Sequence, residues 1–377
     1  MFYYYATKNK KNIGLFCKRS SEITVVIPLL INNHISINIM HASKKISFII
    51  SFYRLILIML RSIKTTTALL LLFFSFTTNA QTNGHDFKAV DAYVKSLGSL
   101  EGMSMATINN VLINKYTDKI DKARAIYYWI ANNITYDVKL VRSNSKTKNT
   151  TADVLLTRKA TAAGFTTLFQ DMCSSGDIRC LTVDGFVKYG AQQIGEKDIE
   201  INHTWAVVQL GQSPEEWYYV DPTFGSGYLS ADQKEFTKYY TDAYFFTEKA
   251  SFNLQHYPDN TAWKLGSGPG KGDFFDMPVI KTAAMELGIT KCSPNDGKIK
   301  TKADKPVRFT FTLKNTEDIS KVQLGVGEKK KYRLEDVLYS DAGGTLVFTL
   351  KFKDADSGPL TVFVNGKEFV QYYVEVD

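Results

Sequence analysis

The spacing of apolar residues changes at Ser174-Ser175-Gly176-Asp177, and that change decides the fold class. Before it the spacing is helical. "KARAIYYWIANNI" (Lys122 to Ile134) sets Ala125, Tyr128, Trp129 and Asn132 three to four apart, with Ile126 and Ile130 joining the apolar side and Asp118 and Asp121 upstream as caps. Ala163 to Met172 repeats the period and buries Phe165, Leu168, Phe169 and Met172. After it, "IRCLTVDGFV", "INHTWAVVQL" and "EWYYVDPTF" alternate with period two, as strands do. Helices followed by strands make an α+β domain.

A second boundary lies at "GSGPGKGDFFDMPV" (Gly266 to Val279), where Gly and Pro accumulate and a linker over 266–284 is expected. Beyond it "VRFTFTL", "KVQLGVG", "TLVFTLKF" and "LTVFVNGKEFVQYYVEV" alternate again, with Asn365-Gly366 as a hairpin turn. Short strands at this spacing over 285–377 predict a small all-β sandwich, immunoglobulin-like in general form. "EKKK" (Glu328 to Lys331) reads as a solvated loop.

The formal net charge of +8 resembles that of a polyanion binder, but the charge is unevenly placed. Residues 1–80 hold ten Lys/Arg and one acid, Glu22, leaving 36 basic and 37 acidic residues from Gln81 onward. No nucleic-acid partner is implied. The basic front end reads as targeting: in "MLRSIKTTTALLLLFFSFTTNA" (59–80) Arg61 and Lys64 precede an apolar run and small residues at a cleavage position. That layout predicts a signal peptide, a secreted or periplasmic protein with no stable membrane insertion, and a mature domain over 81–265. Residues 1–58 then lie upstream of the true start. The alternative is a membrane anchor through 46–76, which Arg54 disfavours. Of the four cysteines, Cys173, Cys180 and Cys292 follow the signal, an odd number that excludes a complete disulfide framework. A Cys173–Cys180 bridge and an apolar setting for both remain open.

Three histidines follow Gln81: His85, His203 and His256. His203 opens one strand of a pair turning near residue 213, and Asp221 closes the other, so the two fall nearly opposite, ~5 Å apart if they share a face. A carboxylate there would fix the imidazole tautomer and support its charge. The bland alternative is a buried polar pair. Such a pair needs a nucleophile, and a thiol at a helix N-terminus would be activated by the helix dipole and a nearby imidazole. The helix beginning near Ala162 is the place for it. No HExxH or paired CxxC occurs, so no metal and no cofactor are expected, and "GSGPGKG" lacks the strand–helix context of a phosphate loop.

"KARAIYYWIANNITYD", "RKATAAGFTTLF", "NHTWAVVQL", "WYYVDPTFGSGY" and "FFTEKASFNLQHYPDNTAWKL" follow the order and spacing of transglutaminase-like proteins. The chain resembles their kyphoscoliosis-peptidase-like branch of secreted bacterial proteins over about Lys122 to Leu265. The resemblance implies a papain/transglutaminase-like domain in which His203 is the base, Asp221 orients it and Trp205 follows it. The family's nucleophilic cysteine falls on Ala162, before Gly164, and its usual tyrosine on Phe165. A methyl group cannot attack a carbonyl. Cys173 lies 11 residues farther along the helix, ~16 Å away at 1.5 Å per residue. Thr161 and Thr166 flank the position but would need a strong adjacent base.

Three functions follow as expectations. The first is a non-catalytic module whose cleft, lined by Ala162, Gly164 and Trp205 beside His203 and Asp221, binds a peptide or protein. The second is a hydrolase or amidotransferase with an unusual nucleophile or a His203-activated water. The third is adhesion or assembly through the sandwich.

Overall fold

The computed structural model describes strands at 3–9, 12–18 and 25–29 and then residues 85–377, except 144–149, 211–215 and 328–332. The expected signal peptide (59–80), the alternative anchor (46–76) and the Glu328–Lys331 loop lie outside the described residues. Among the described residues no helix is long and apolar enough to cross a membrane. The chain divides into two compact units, Met1–Gly84 and His85–Asp377. In the first, β1 (Tyr3–Asn9), β2 (Asn12–Lys18) and β3 (Val25–Leu29) form an antiparallel meander.

The second unit opens with α1 (Lys88–Leu97), α2 (Met105–Ile113) and α3 (Lys119–Asn133). Asp118 caps α3 by accepting from the Ile120 N–H at 2.8 Å, as its sequence position implies. The buried face of α3 differs from the expected one. Asn132 is exposed and Tyr128 half-buried, whereas Arg124 and Tyr127 are fully inside. Arg124 is tolerated there because its guanidinium donates twice to Asp91, at 2.8 and 2.7 Å, and once to the Tyr240 hydroxyl at 2.8 Å. Tyr127 donates to the Thr241 carbonyl at 2.6 Å. Polar side chains held by strong hydrogen bonds can occupy a helix face that a purely apolar pattern assigns to solvent.

After α4 (Thr151–Thr157), α5 (Ala162–Ser175) packs on a five-stranded antiparallel sheet. Its strands are β4 (Arg179–Val187), β5 (His203–Gln209), β6 (Trp217–Val220), β7 (Phe245–Thr247) and β8 (His256–Pro258), in the order β7-β6-β5-β4-β8. The pleat sorts the side chains. Ala206, Val208, Val220 and Cys180 share a core with Phe165, Leu168, Phe169 and Met172 of α5, while Trp205, Val207, Tyr219 and Phe224 belong to a second core.

The 266–284 segment is not an open linker. It forms α6 (Lys271–Asp276), β9 (Val279–Ile280) and α7 (Thr282–Glu286). Asn253 Nδ2 donates to the carbonyls of Leu265 and Ser267, both at 2.8 Å. A Cβ on Gly268 would sit 2.6 Å from the Asn253 Cβ. Glycine here permits a close approach, which is why a Gly-rich composition misled as a sign of looseness.

Beyond it, β10 (Lys291–Ser293), β12 (Pro306–Thr312) and β15 (Thr345–Lys351) form one sheet, ordered β10-β12-β15. The other runs β9-β17-β16-β13-β14, from β13 (Val322–Val326), β14 (Arg333–Asp336), β16 (Gly358–Val364) and β17 (Lys367–Val376), with β11 (Lys298–Thr301) parallel to β17. Phe309 packs edge-on against Tyr372 and Phe311 against Phe369, so the two sheets face each other across an aromatic core. That core is continuous with the Trp205 side of the five-stranded sheet.

Candidate functional site

Strands β5 and β6 pair with Ala206 opposite Val220 and Gln209 opposite Trp217. Continuing that register sets Asp221 opposite Trp205, two residues short of facing His203. Residues 203 and 205 share a face, so Asp221 reaches His203 along the diagonal. The contact is short: His203 Nε2 lies 2.6 Å from Asp221 Oδ2, and both side chains are buried. Phe224 stacks on the imidazole with ring centroids 4.7 Å apart. The Nδ1 of His203 is left without a partner.

The site holds a third member that the sequence reading left unassigned. His256, fully buried on β8, places its Nε2 3.0 Å from the same Asp221 oxygen. Phe252 stacks on its ring at 3.9 Å, and Trp205 meets it edge-on at 5.2 Å. β4 lies between β5 and β8 and pairs with both, Gly185 opposite His203 and Val187 opposite His256. A Cβ at Gly185 would lie 2.5 Å from Trp205 Cη2 and 2.3 Å from the Tyr257 carbonyl oxygen. The missing side chain is what lets Trp205 and β8 close over β4. The signal available in the sequence was one of three downstream histidines within "QHYPDN", a spacing that no local pairing rule connects to Asp221.

Asp221 is saturated. Its second oxygen accepts the backbone N–H groups of Thr223 and Phe224 at 2.8 and 3.0 Å. Tyr127 of α3 presses on the turn that supplies them: a Cβ on Gly225 would lie 2.1 Å from the Tyr127 hydroxyl. Burial alone would push the Asp221 carboxyl up, but His203, by charge and hydrogen bond, and then His256 hold it well below the usual range. Burial disfavours the charged form of His256 more than Asp221 supports it, and with the neighbouring His203 brings His256 down to about 4.

These shifts set an acid dependence. The unfolded chain takes up a proton on His256 near the ordinary histidine value while the folded chain does not until about pH 4. Stability is therefore full above about pH 6.5 and falls as pH drops toward 4, by roughly 3 kcal/mol. Asp221, depressed when folded, continues the loss below the usual carboxylate range. Urea unfolding between pH 7 and 4 measures it. A His256→Gln variant, which keeps an N–H donor but cannot titrate, is expected to flatten the upper part of the curve.

Ala162 is the first residue of α5, capped by Thr161, whose hydroxyl accepts from the Gly164 N–H at 3.3 Å. It belongs to the core on the α5 side of the sheet, not to the Trp205 side. The link to His203 runs through Thr166, whose hydroxyl donates at 2.9 Å to the Ala162 carbonyl and lies 3.0 Å from that of Thr204. The structure thus joins His203 to Asp221 and sets the first turn of α5 beside the start of β5. The residues expected to line a cleft are interior: Gly164 and Trp205 are buried, and Ala162 is 6% exposed. The partly exposed surface at this point is Thr161, Ala163 and Thr204, with Asp184 exposed beside it and accepting from the Thr204 hydroxyl at 2.8 Å. Trp205 is inside because its indole, opposite Val183, extends over the side-chain-free Gly185 two residues along β4 and packs against the sheet.

Cys173 is no substitute nucleophile. It lies at the far end of α5 in the core, where burial pushes its thiol well up. His203, Asp221 and His256 bring three potential metal-ligand atoms within 4.8 Å of one another. The donor set does not suit an ion. Both Nε2 atoms already sit at hydrogen-bond distance from one oxygen, and a ligating histidine normally gives its other N–H to an acceptor, which His203 Nδ1 lacks. The cluster is a hydrogen-bonded His–Asp–His relay.

Residues 106–222 match the model of the transglutaminase-like superfamily, a span that contains Ala162, His203 and Asp221 and ends before His256. Human kyphoscoliosis peptidase is 28% identical over 243 residues, covering 62% of this chain and 36% of the relative. Hillarin of Drosophila melanogaster is 24% identical over 222 residues, 54% of this chain and 26% of its own. The chain thus spans about a third of the length of these relatives. Among solved structures, a transglutaminase crystal structure aligns at 17% identity with a TM-score of 0.25, over 48% of this chain and 43% of that one. The chain carries a transglutaminase-like domain with homology to kyphoscoliosis peptidase.

Proposed function

We propose that this transglutaminase-like domain keeps the base and orienting acid of a thiol enzyme without the thiol, and binds a peptide or protein segment without turning it over. The observation that carries this reading is a pair of facts at one place. His203 is fixed by Asp221 at 2.6 Å with its Nδ1 free, while the helix-opening position on α5 is the methyl side chain of Ala162. Binding and covalent chemistry draw on different groups, so an acyl-binding surface can outlive its nucleophile. The segment would lie over Thr161, Ala163 and Thr204, next to the carboxylate of Asp184. The β-domain, with β11 parallel to β17 and a three-stranded sheet opposite, is read as immunoglobulin-like and as support for the site.

A second reading is favoured by the free Nδ1: a water activated there by His203 would make the domain a slow hydrolase. Assays on the full chain separate the two. With a fluorescent glutamine-containing peptide, the binding reading expects saturable binding, no amine incorporation and no cleavage. Turnover that disappears in His203→Ala would replace it with the hydrolase. Absence of both binding and turnover would overturn it.

A further inference from the structure

Two buried thiols meet where α5 ends and the sheet begins, away from the His–Asp–His relay. Cys173 occupies the last turn of α5, and Cys180 is the second residue of β4. The turn between them is tight: the N–H groups of Gly176 and Ile178 both donate to the Cys173 carbonyl at 2.9 Å. Gln170, one helical turn before Cys173, donates its side-chain amide to the Cys180 carbonyl at 3.1 Å. That bond places the Cys180 backbone against the stripe of α5 that carries Cys173. Cys180 pairs with Val208, and both point into the core under α5, where Cys173, Met172 and Phe169 are wholly buried. The side chains therefore converge from helix and strand on one core, where both are free thiols in this structure.

We infer that Cys173 and Cys180 are a disulfide-forming pair, closed by a disulfide oxidant during folding and bolting the C-terminal end of α5 to β4. One cysteine thiolate attacks a sulfur of the oxidant and releases a thiol. The second cysteine then displaces the first from that mixed disulfide and releases another. The pair loses two protons and two electrons, and the oxidant becomes two thiols. Closure belongs to folding because the folded site excludes reagents and burial, with the neighbouring thiol, raises the Cys173 thiol. Cys292 stands outside this pair: it lies on β10, and burial pushes its thiol up to about 11. The bridge closes a short loop, so its stabilisation is modest but measurable.

The test is refolding of the full chain from denaturant in glutathione buffer rich in glutathione disulfide, with a parallel sample in excess reductant. Both are trapped with an alkylating agent and digested. The expected result is a Cys173–Cys180 linked peptide from the oxidised sample, two hydrogens lighter than the reduced pair, with Cys292 alkylated. The unfolding midpoint is expected to rise by about 5 °C and to fall back on reduction. Full alkylation of Cys173 and Cys180 after oxidative refolding would overturn the inference, as would linkage of either to Cys292. The comparison uses one sequence in two redox states, so it does not depend on whether a cysteine variant folds.

Discussion

A chain ending at Glu286 is expected to lose the folded His203–Asp221–His256 site together with the β-domain. Ile280, Ala283, Ala284 and Met285 would remain, but their partners on β17, Phe369, Val370 and Tyr372 among them, belong to the same core and would be gone. Gln255, next to His256, donates its side chain to the Ile280 carbonyl at 3.0 Å, and Tyr244 meets Thr282 at 3.2 Å. Lys188, after β4, is bound by the carbonyls of Phe274, Phe275 and Met277 at the end of α6. Fully burying one large apolar side chain contributes about 1.5–3 kcal/mol. Exposing half a dozen costs about as much as the 5–15 kcal/mol by which a whole domain is stable. Near-ultraviolet circular dichroism of the truncated chain should therefore lack the fixed aromatic signal of the full protein. A cooperative, native-like transition in that chain would show two independent domains and revive the reading in which the sandwich works alone and the front half is a spacer.

The second large effect concerns Asp221. Asp221→Ala removes the acceptor of two buried imidazoles and of the Thr223 and Phe224 N–H groups at one stroke. Leaving buried polar partners uncompensated typically costs about 3–5 kcal/mol. Urea unfolding at pH 7 is expected to show a loss of that size. His203→Ala should cost less, because His256 and both backbone donors keep Asp221 satisfied. A loss below about 1 kcal/mol for Asp221→Ala, the level of an ordinary surface pair, would mean that the relay is not formed in solution.

The part of this site legible in the sequence was the local part. His203 and Asp221 lie on neighbouring strands joined by a short turn, so period-two alternation and a turn centre were enough to pair them, even though the register proved diagonal. α3 was legible from its Asp118 cap and apolar spacing, and α5 from its apolar spacing alone. His256 was not, because its approach depends on β8 adding to the far edge of the sheet beyond β4 and on Gly185 leaving room for it. No window of residues around 256 contains that information. The burial of Tyr127 and Arg124 was missed for a related reason: each is inside only because a distant residue, Thr241 or Asp91, supplies its hydrogen bond. The 266–284 stretch shows the reverse error, since glycine there serves contact with Asn253 rather than freedom.

The central claim is that an acyl-transfer frame stands here with its attacking group replaced. Comparing the full chain with its Ala162→Cys variant, for amine incorporation into a glutamine-containing protein and for peptide cleavage, tests it most directly. A thiol at the first position of α5 would gain the helix dipole and the imidazole of His203. The expected result is a silent parent and an active variant whose activity is lost again in Ala162→Cys/His203→Ala. An active parent, or a well-folded Ala162→Cys chain that remains silent, would contradict the claim.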